Sequence, residues 1–104
     1  MPGVDYGAVR ERISMTRVLE LLEFHPCRVR GNQLRGLCPV HGSEDRKSTT
    51  FSVNLAKNAF RCFKCGARGN QIDLWAAAKK MSLYQASLDL CDRLAMKVPW
   101  VQQW

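Results

Sequence analysis

The sequence predicts an α+β domain in which a short antiparallel sheet lies between flanking helices. Apolar residues recur at helical spacing before residue 27 and after residue 70, and short alternating runs with paired cysteines lie between them. The chain has 104 residues, of which 46% are apolar and 24% charged. This is the size and composition of a single globular domain.

The first predicted element is an amphipathic helix within an N-terminal region of residues 1–27. Its apolar residues recur at intervals near three and four, which places them on one helix face: Val9, Ile13, Val18, Leu19, Leu21 and Leu22. The helix is predicted to end near Phe24, because Pro26 cannot continue it. We expect it to pack on the central segment.

Three short strands are predicted in the central segment, residues 28–69, over residues 33–38, 51–54 and 59–62. Alternation along a strand sends neighbouring side chains to opposite faces of the sheet. One face is therefore apolar, with Phe51, Val53, Phe60 and Cys62, and Leu34 lies opposite Gln33 and Arg35 on its strand. The other face is polar and basic, with Ser52, Asn54 and Arg61.

Two helices are predicted in residues 70–98, each with its own start signal. Asn70 followed by Asp73 resembles an N-cap with an acidic first turn, and Ser82 followed by Gln85 has the form of a capping box. The apolar stripe of the second helix contains Leu83, Ala86 or Ser87, Leu90 and Leu94. Residues 99–104 form a short tail that contains two tryptophans, Trp100 and Trp104.

Four residues in the central segment have the spacing of metal ligands: Cys38, His41, Cys62 and Cys65. Each pair is separated by two residues and followed by glycine, so a tight turn aims both side chains at one ion. Three thiolates and one imidazole make a closed tetrahedral set, which predicts one structural Zn²⁺ and a zinc ribbon. The alternatives are inert buried cysteines with a surface histidine, or a redox role for the second pair. Cys27, Cys91 and His25 are assigned no chemistry.

The central segment carries the whole charge imbalance of the chain. The net charge is +7, and residues 28–70 hold nine basic and two acidic residues, while the remainder holds seven of each. Such an excess favours an anionic partner. The chain shows neither a signal peptide nor an apolar stretch long enough to span a membrane, which predicts a cytoplasmic protein. A membrane surface is not an expected partner, because neither amphipathic helix concentrates the positive charge.

Four segments together resemble the N-terminal zinc-binding domain of bacterial DnaG-type DNA primases: Gly36-Leu37-Cys38-Pro39-Val40-His41-Gly42, Thr50-Phe51-Ser52-Val53, Phe60-Arg61-Cys62-Phe63-Lys64-Cys65-Gly66 and Gly69-Asn70-Gln71-Ile72-Asp73. The resemblance implies a zinc ribbon that helps recognise single-stranded template DNA and supports primer initiation. Polymerisation would belong to a separate primase catalytic domain, which together with a replicative helicase is an expected partner. The sequence ends near where that family's catalytic domain begins.

The first functional hypothesis is a zinc ribbon that binds single-stranded DNA and has no catalytic residues. The predicted contacts are basic residues for phosphates and one aromatic residue for base stacking: Arg35, Arg46, Lys47, Arg61, Lys64 and Phe63. An enzyme is not expected, because Asp89 and Asp92 are separated by Leu90 and Cys91 and form no Mg²⁺-binding carboxylate cluster. A small-molecule substrate is not expected either.

The second hypothesis is a protein-interaction module in which the zinc is purely structural. It would dock a replication partner through its helices or through the apolar tail, because tryptophans are frequent anchors in partner pockets. The competing interpretation of the tail is that Trp100 and Trp104 fold back on the helices of their own chain.

Overall fold

The computed structural model describes residues 3–40 and 50–101, and it confirms the α+β class. Four helices are present in these residues: α1 (Tyr6–Arg12), α2 (Met15–Leu21), α3 (Gln71–Lys79) and α4 (Leu83–Arg93). Five strands lie between α2 and α3: β1 (Arg28–Arg30), β2 (Gln33–Gly36), β3 (Phe51–Asn54), β4 (Ala59–Cys62) and β5 (Arg68–Gly69). The strands form one antiparallel sheet in the order β1-β2-β3-β4-β5.

The N-terminal region contains two short helices where the sequence predicted a single one. Ile13 leaves the helical conformation with φ −113° and ψ 111°, and Ser14 starts α2 as an N-cap whose hydroxyl accepts from the Arg17 N–H at 3.3 Å. The apolar spacing continues across this break because Val9, Ile13 and Val18 are all buried. The spacing of apolar residues therefore does not reveal the break between α1 and α2, which is indicated by the N-cap residue Ser14.

The sheet has two strands that the sequence analysis missed, and both lie at its edges. β1 is joined to β2 by Gly31 and Asn32 alone, and Gly31 has φ +59°. A two-residue glycine-containing connection is a hairpin signal, but the flanking strand has a single apolar residue. β5 has two residues. β2 ends at Gly36, so Leu37 and Cys38, which the sequence placed in this strand, lie beyond its end.

The core face of the sheet is the apolar face that alternation predicted. Phe51, Val53, Phe60 and Cys62 are buried, and the Phe51 and Phe60 ring centroids lie 5.8 Å apart. The Phe24 ring meets Phe51 edge-on with a centroid distance of 5.3 Å. Apolar residues of the helices belong to the same buried cluster as this face, whereas Arg61 on the opposite face of β4 is exposed.

The two C-terminal helices begin at the predicted caps. Asn70 Oδ1 accepts from the Ile72 and Asp73 N–H groups, and the Asp73 carboxylate accepts from the Asn70 N–H at 2.9 Å. Ser82 and Gln85 form the corresponding capping box of α4. α3 packs against α2, α4, β4 and β5, which makes it the central helix. Neither these helices nor the others in residues 3–40 and 50–101 reach the length and apolar content that crossing a membrane demands.

One buried side chain ties α3 to the end of α1. Gln71 is 2% exposed, and its Nε2 donates to the carbonyl oxygens of Arg10 at 2.9 Å and Ile13 at 2.8 Å. These carbonyls lie at the C-terminal end of α1 and at the break before α2, where helical partners are absent. Gln71 therefore fixes the angle at which the two N-terminal helices meet α3.

Replacing Gln71 with methionine is expected to lower the free energy of unfolding by about 2 kcal/mol. The substitution preserves most of the buried volume but leaves two backbone carbonyls without their donor. Denaturant titration of the zinc-loaded protein measures the effect. Gln85→Met is the matched control, because Gln85 is exposed and accepts a single 3.4 Å hydrogen bond. Equal losses in the two variants would contradict the bridging role of Gln71.

The two ends of the described chain are paired with each other. Val4 and Trp100 form an antiparallel bridge, flanked by hydrogen bonds of 2.7 Å from Asp5 N–H to Pro99 O and from Val101 N–H to Gly3 O. The Trp100 ring lies beside Tyr84 of α4, with 6.5 Å between centroids. Trp100 is thus held against its own chain and is 45% exposed, whereas Trp104 lies outside the described residues.

Candidate metal centre and nucleic-acid interface

Three cysteines meet at one end of the sheet. Cys38 follows β2, Cys62 ends β4, and Cys65 lies in the turn between β4 and β5. Their sulfur atoms all lie within 4.8 Å of one another, and Cys38 Sγ is 3.9 Å from Cys65 Sγ. Cys38 and Cys62 are buried, while Cys65 is exposed. The sheet register therefore brings together residues that are far apart in the chain.

The turn that follows β4 is closed by its own backbone. Gly66 N–H donates to Cys62 O at 3.0 Å, and Cys62 N–H donates to Ala67 O at 2.7 Å. Gly66 has φ +80°, a conformation that residues with a Cβ rarely adopt. The turn presents Phe63 and Lys64 between two of the cysteines, so whatever holds the cysteines also fixes these two side chains.

Backbone donors stabilise thiolates at this end of the sheet. The Val40 N–H lies 3.4 Å from Cys38 Sγ, and the Cys65 N–H lies 3.4 Å from Cys62 Sγ. Burial raises the pKa of the Cys62 thiol, but hydrogen bonds from the backbone of Cys65 and Lys64 and from the side chains of Cys65 and Cys38 outweigh it. The net effect lowers the pKa from 9.0 to about 7. Deprotonated sulfur is the form that binds metal.

The cysteine cluster fits zinc in both chemistry and dimensions. Zn–S bonds are about 2.3 Å long, so tetrahedral geometry separates neighbouring sulfur atoms by about 3.8 Å. The Cys38–Cys65 separation of 3.9 Å agrees with this value. Three thiolates leave one position for a nitrogen or further sulfur ligand. His41, the predicted fourth ligand, lies outside the described residues.

The remaining two cysteines lie away from this cluster and differ in exposure. Cys27 is exposed, whereas Cys91 lies on the buried face of α4, within the core. Burial raises the pKa of the Cys91 thiol, and the opposing influence of the Arg12 guanidinium is smaller. A raised pKa reduces the thiolate fraction at any pH below it, which slows reaction with electrophiles.

Cys27 is therefore expected to react with iodoacetamide at pH 8 at least ten times faster than Cys91 in the folded, zinc-loaded protein. Mass spectrometry of the time course identifies the modified residue. Denaturation should remove the difference, because both thiols are then in water. Comparable rates in the folded protein would contradict the burial of Cys91.

The polar face of the sheet carries a line of arginines in register, which we call the arginine row. Arg28 pairs with Arg35, Arg35 with Ser52, Ser52 with Arg61, and Arg61 with Arg68. The row thus crosses all five strands with four guanidinium groups. Like charges on directly opposite positions repel one another. An anionic partner across the row would offset that repulsion.

Phe63 lies at the middle of the arginine row. Its ring centroid is 5.3 Å from Arg35 Cζ and 5.0 Å from Arg61 Cζ, distances typical of cation–π contacts. The ring is 57% exposed despite these contacts. The Phe63 N–H donates to Thr50 O at 2.9 Å, which extends the pairing of β3 and β4 to this residue. An aromatic surface is thereby held among cationic groups.

The structure brings together three of the predicted DNA-contact residues and leaves others aside. Arg35 and Arg61 both contact the Phe63 ring, and Lys64 is the next residue in the same turn. Arg46 and Lys47 lie outside the described residues. Sequence reasoning did not single out Arg28 and Arg68 as site residues, because their place in the row follows only from the pairing of the two edge strands.

The family comparison matches nearly the whole chain. The model of the CHC2 zinc finger family matches residues 4–103. Among curated proteins, the chain is 33% identical over 90 residues to a DNA primase of Synechocystis sp. and 37% identical over 92 residues to one of Synechococcus elongatus. These alignments cover 86% and 88% of this chain but only 13% and 12% of the two primases.

The fold also has a counterpart among solved structures. The crystal structure of the Aquifex aeolicus primase, which contains zinc-binding and RNA polymerase domains, superimposes with a TM-score of 0.73 at 27% identity. The match covers 92% of this chain and 23% of that chain. Together with the cysteine cluster, these comparisons show that the chain belongs to the CHC2 zinc finger family, the zinc ribbon of DnaG-type primases, with one structural Zn²⁺ as its cofactor.

Proposed function

We propose that this protein acts in primer initiation during DNA replication, as a non-catalytic zinc ribbon that binds single-stranded template DNA. The observation that carries the proposal is the arginine row with exposed Phe63 at its centre. Polymerisation is assigned to a separate primase catalytic domain. The relatives support this context, since the chain corresponds to 12–13% of the length of the cyanobacterial primases.

In this proposal the zinc serves to hold the DNA-binding surface in place. Cys38, His41, Cys62 and Cys65 are the proposed ligands. Phe63 and Lys64 lie between two of them, so ligand binding fixes the turn that presents both side chains. Zinc in a closed site of this kind supplies folding free energy and performs no reaction.

The proposed binding mode combines phosphate contacts with one stacked base. The guanidinium groups of the arginine row follow the phosphates, and Phe63 receives a base on its exposed ring surface. Lys64, and Arg46 and Lys47 from the segment outside the described residues, are proposed as further phosphate contacts. The contacts are largely independent of sequence, since phosphates and ring stacking read little base identity.

Fluorescence anisotropy with a labelled oligothymidylate tests this proposal. About four phosphate contacts predict a slope of about −3 for the logarithm of affinity against the logarithm of salt concentration. Arg61→Ala is expected to reduce the slope by about 0.7, and Phe63→Ala to weaken binding about tenfold. Arg17→Ala on α2 removes the same charge from an exposed helix and serves as the control. Absence of binding at low salt, or equal effects of Arg17→Ala and Arg61→Ala, would contradict the proposal.

The second candidate function is docking of a protein partner, and an exposed apolar cluster on α4 favours it. Leu83 and Tyr84 are each 46% exposed, and Trp100 beside Tyr84 is 45% exposed. A primase catalytic domain or a replicative helicase is the proposed occupant. Trp100→Ala distinguishes this role from packing: unchanged stability with lost capture of the partner supports docking, whereas a lower free energy of unfolding with capture intact assigns Trp100 to packing.

A further inference from the structure

A groove lies at the outer edge of the polar sheet face, where β1 pairs with β2. Its volume is about 540 Å³, within the range of small-molecule sites. It is lined by five residues of the two strands: Arg28, Val29, Arg30, Gln33 and Arg35. The groove contains Arg28 and Arg35 from one end of the arginine row, and it adds Arg30, which is not part of that row.

The three arginines surround the groove on two strands. Arg28 is the register partner of Arg35, and Arg30 is the partner of Gln33. Cross-strand partners are about 4.5–5.5 Å apart at Cα, and alternate residues of one strand are about 6.8 Å apart. The guanidinium-bearing residues therefore occupy three corners of a small rectangle, and Gln33 occupies the fourth.

We propose that this groove binds a compact polyphosphate, the charged group of a nucleoside triphosphate. Guanidinium groups bind phosphate oxygens through paired hydrogen bonds, and three of them around one concavity match several negative charges held close together. Successive phosphates of a triphosphate are joined by single oxygen atoms. Those of a DNA strand are separated by sugars, which suits the linear arginine row better than the groove.

One further feature suits a phosphate ligand. The Gln33 side-chain amide donates to Ser52 Oγ, which fixes the orientation of the amide at the fourth corner. Val29 also lines the groove, but alternation directs its side chain to the opposite face of β1 from Arg28 and Arg30. The groove thus presents guanidinium and amide groups within one small volume.

This inference does not rest on the proposed DNA binding. The two sites share Arg28 and Arg35, but Arg30 belongs to the groove alone, and Arg61 and Phe63 belong to the proposed DNA-binding surface alone. Isothermal titration of the zinc-loaded protein, without other divalent metal, compares inorganic tripolyphosphate, ATP and AMP. Tripolyphosphate and ATP are expected to bind with similar affinity, and AMP at least tenfold more weakly. Equal affinity for AMP and ATP, or no binding of tripolyphosphate at low salt, would overturn the inference.

Two variants locate the binding. Arg30→Ala is expected to weaken tripolyphosphate binding about tenfold, the effect of losing one charge-assisted hydrogen bond. Arg68→Ala removes the same charge from the opposite edge strand and is expected to change affinity less than about twofold. Equal losses of tripolyphosphate affinity in both variants would indicate non-specific electrostatic attraction and contradict a binding site at the groove. Circular dichroism and zinc content confirm that each variant is folded.

The Arg30→Ala variant also distinguishes the groove from the proposed DNA-binding surface. Arg30→Ala is expected to leave oligothymidylate binding within about twofold of the unsubstituted protein. A loss as large as that of Arg61→Ala would make the groove part of the DNA surface and overturn the inference. If tripolyphosphate binds and oligothymidylate does not, the result contradicts the proposed DNA binding and supports the inference about the groove.

Discussion

Chelation of the zinc is expected to unfold the protein. Cys38 and Cys62 are buried within the same core as Phe51 and Trp75, so the metal site and the hydrophobic core form one unit. Structural zinc sites contribute about 10–16 kcal/mol at neutral pH, which is comparable to or larger than the whole stability of a small domain. Loss of the ion would also leave thiolates close together in the core. Circular dichroism during titration with a chelator should show cooperative loss of helix.

Cys62→Ser is the matching substitution and is expected to abolish zinc binding and folding together. Cys27→Ser is its control, because Cys27 is exposed and outside the sulfur cluster. That variant should retain about one zinc per chain and the stability of the unsubstituted protein. A metal-free protein that keeps its circular dichroism and its cooperative unfolding would refute the structural role of zinc.

Gly69→Ala is expected to lower the free energy of unfolding by about 2–3 kcal/mol. Gly69 has φ +145°, and a Cβ there would overlap the Asp73 carboxylate. Asp73 would have to move, which would break its 2.9 Å hydrogen bond to the Asn70 N–H at the start of α3. Backbone strain at positive φ costs about 1–2 kcal/mol and loss of a helix cap about 1 kcal/mol.

Gly31→Ala separates the two contributions. Gly31 has φ +59°, but a Cβ there would have no heavy atom within 4 Å, so this variant carries the backbone cost alone. Denaturant titration of both variants should give the larger loss for Gly69→Ala. Equal losses would mean that Asp73 is not displaced.

Local signals were sufficient to predict the starts of α3 and α4 and the bounds of two strands. Asn70 with Asp73, and Ser82 with Gln85, are capping residues three positions apart, so the sequence contains the complete interaction. β3 and β4 have the predicted bounds, because strict alternation of buried and exposed residues is visible within each strand. Both kinds of signal depend on neighbours along the chain.

Features that depend on distant residues were not predicted. β1 contains two arginines around one valine and becomes a strand only through its pairing with β2. The alignment of four arginines across the sheet is likewise a property of register, which single strands do not reveal. Gln71 was visible as a residue of the Asn70 motif, but its bond to the Ile13 carbonyl depends on the break between α1 and α2.

The pairing of Val4 with Trp100 has a consequence for the order of folding. The β3–β4 hairpin joins Asn54 to Ala59, whereas the terminal bridge closes a loop from residue 4 to residue 100. Loop-closure entropy rises by about 0.6 kcal/mol with each doubling of length, which makes the terminal bridge about 2–3 kcal/mol more costly to close than the hairpin. It should therefore form after the sheet and open before it. The amide protons of Asp5 and Val101 should exchange with solvent deuterium well before those of β3 and β4.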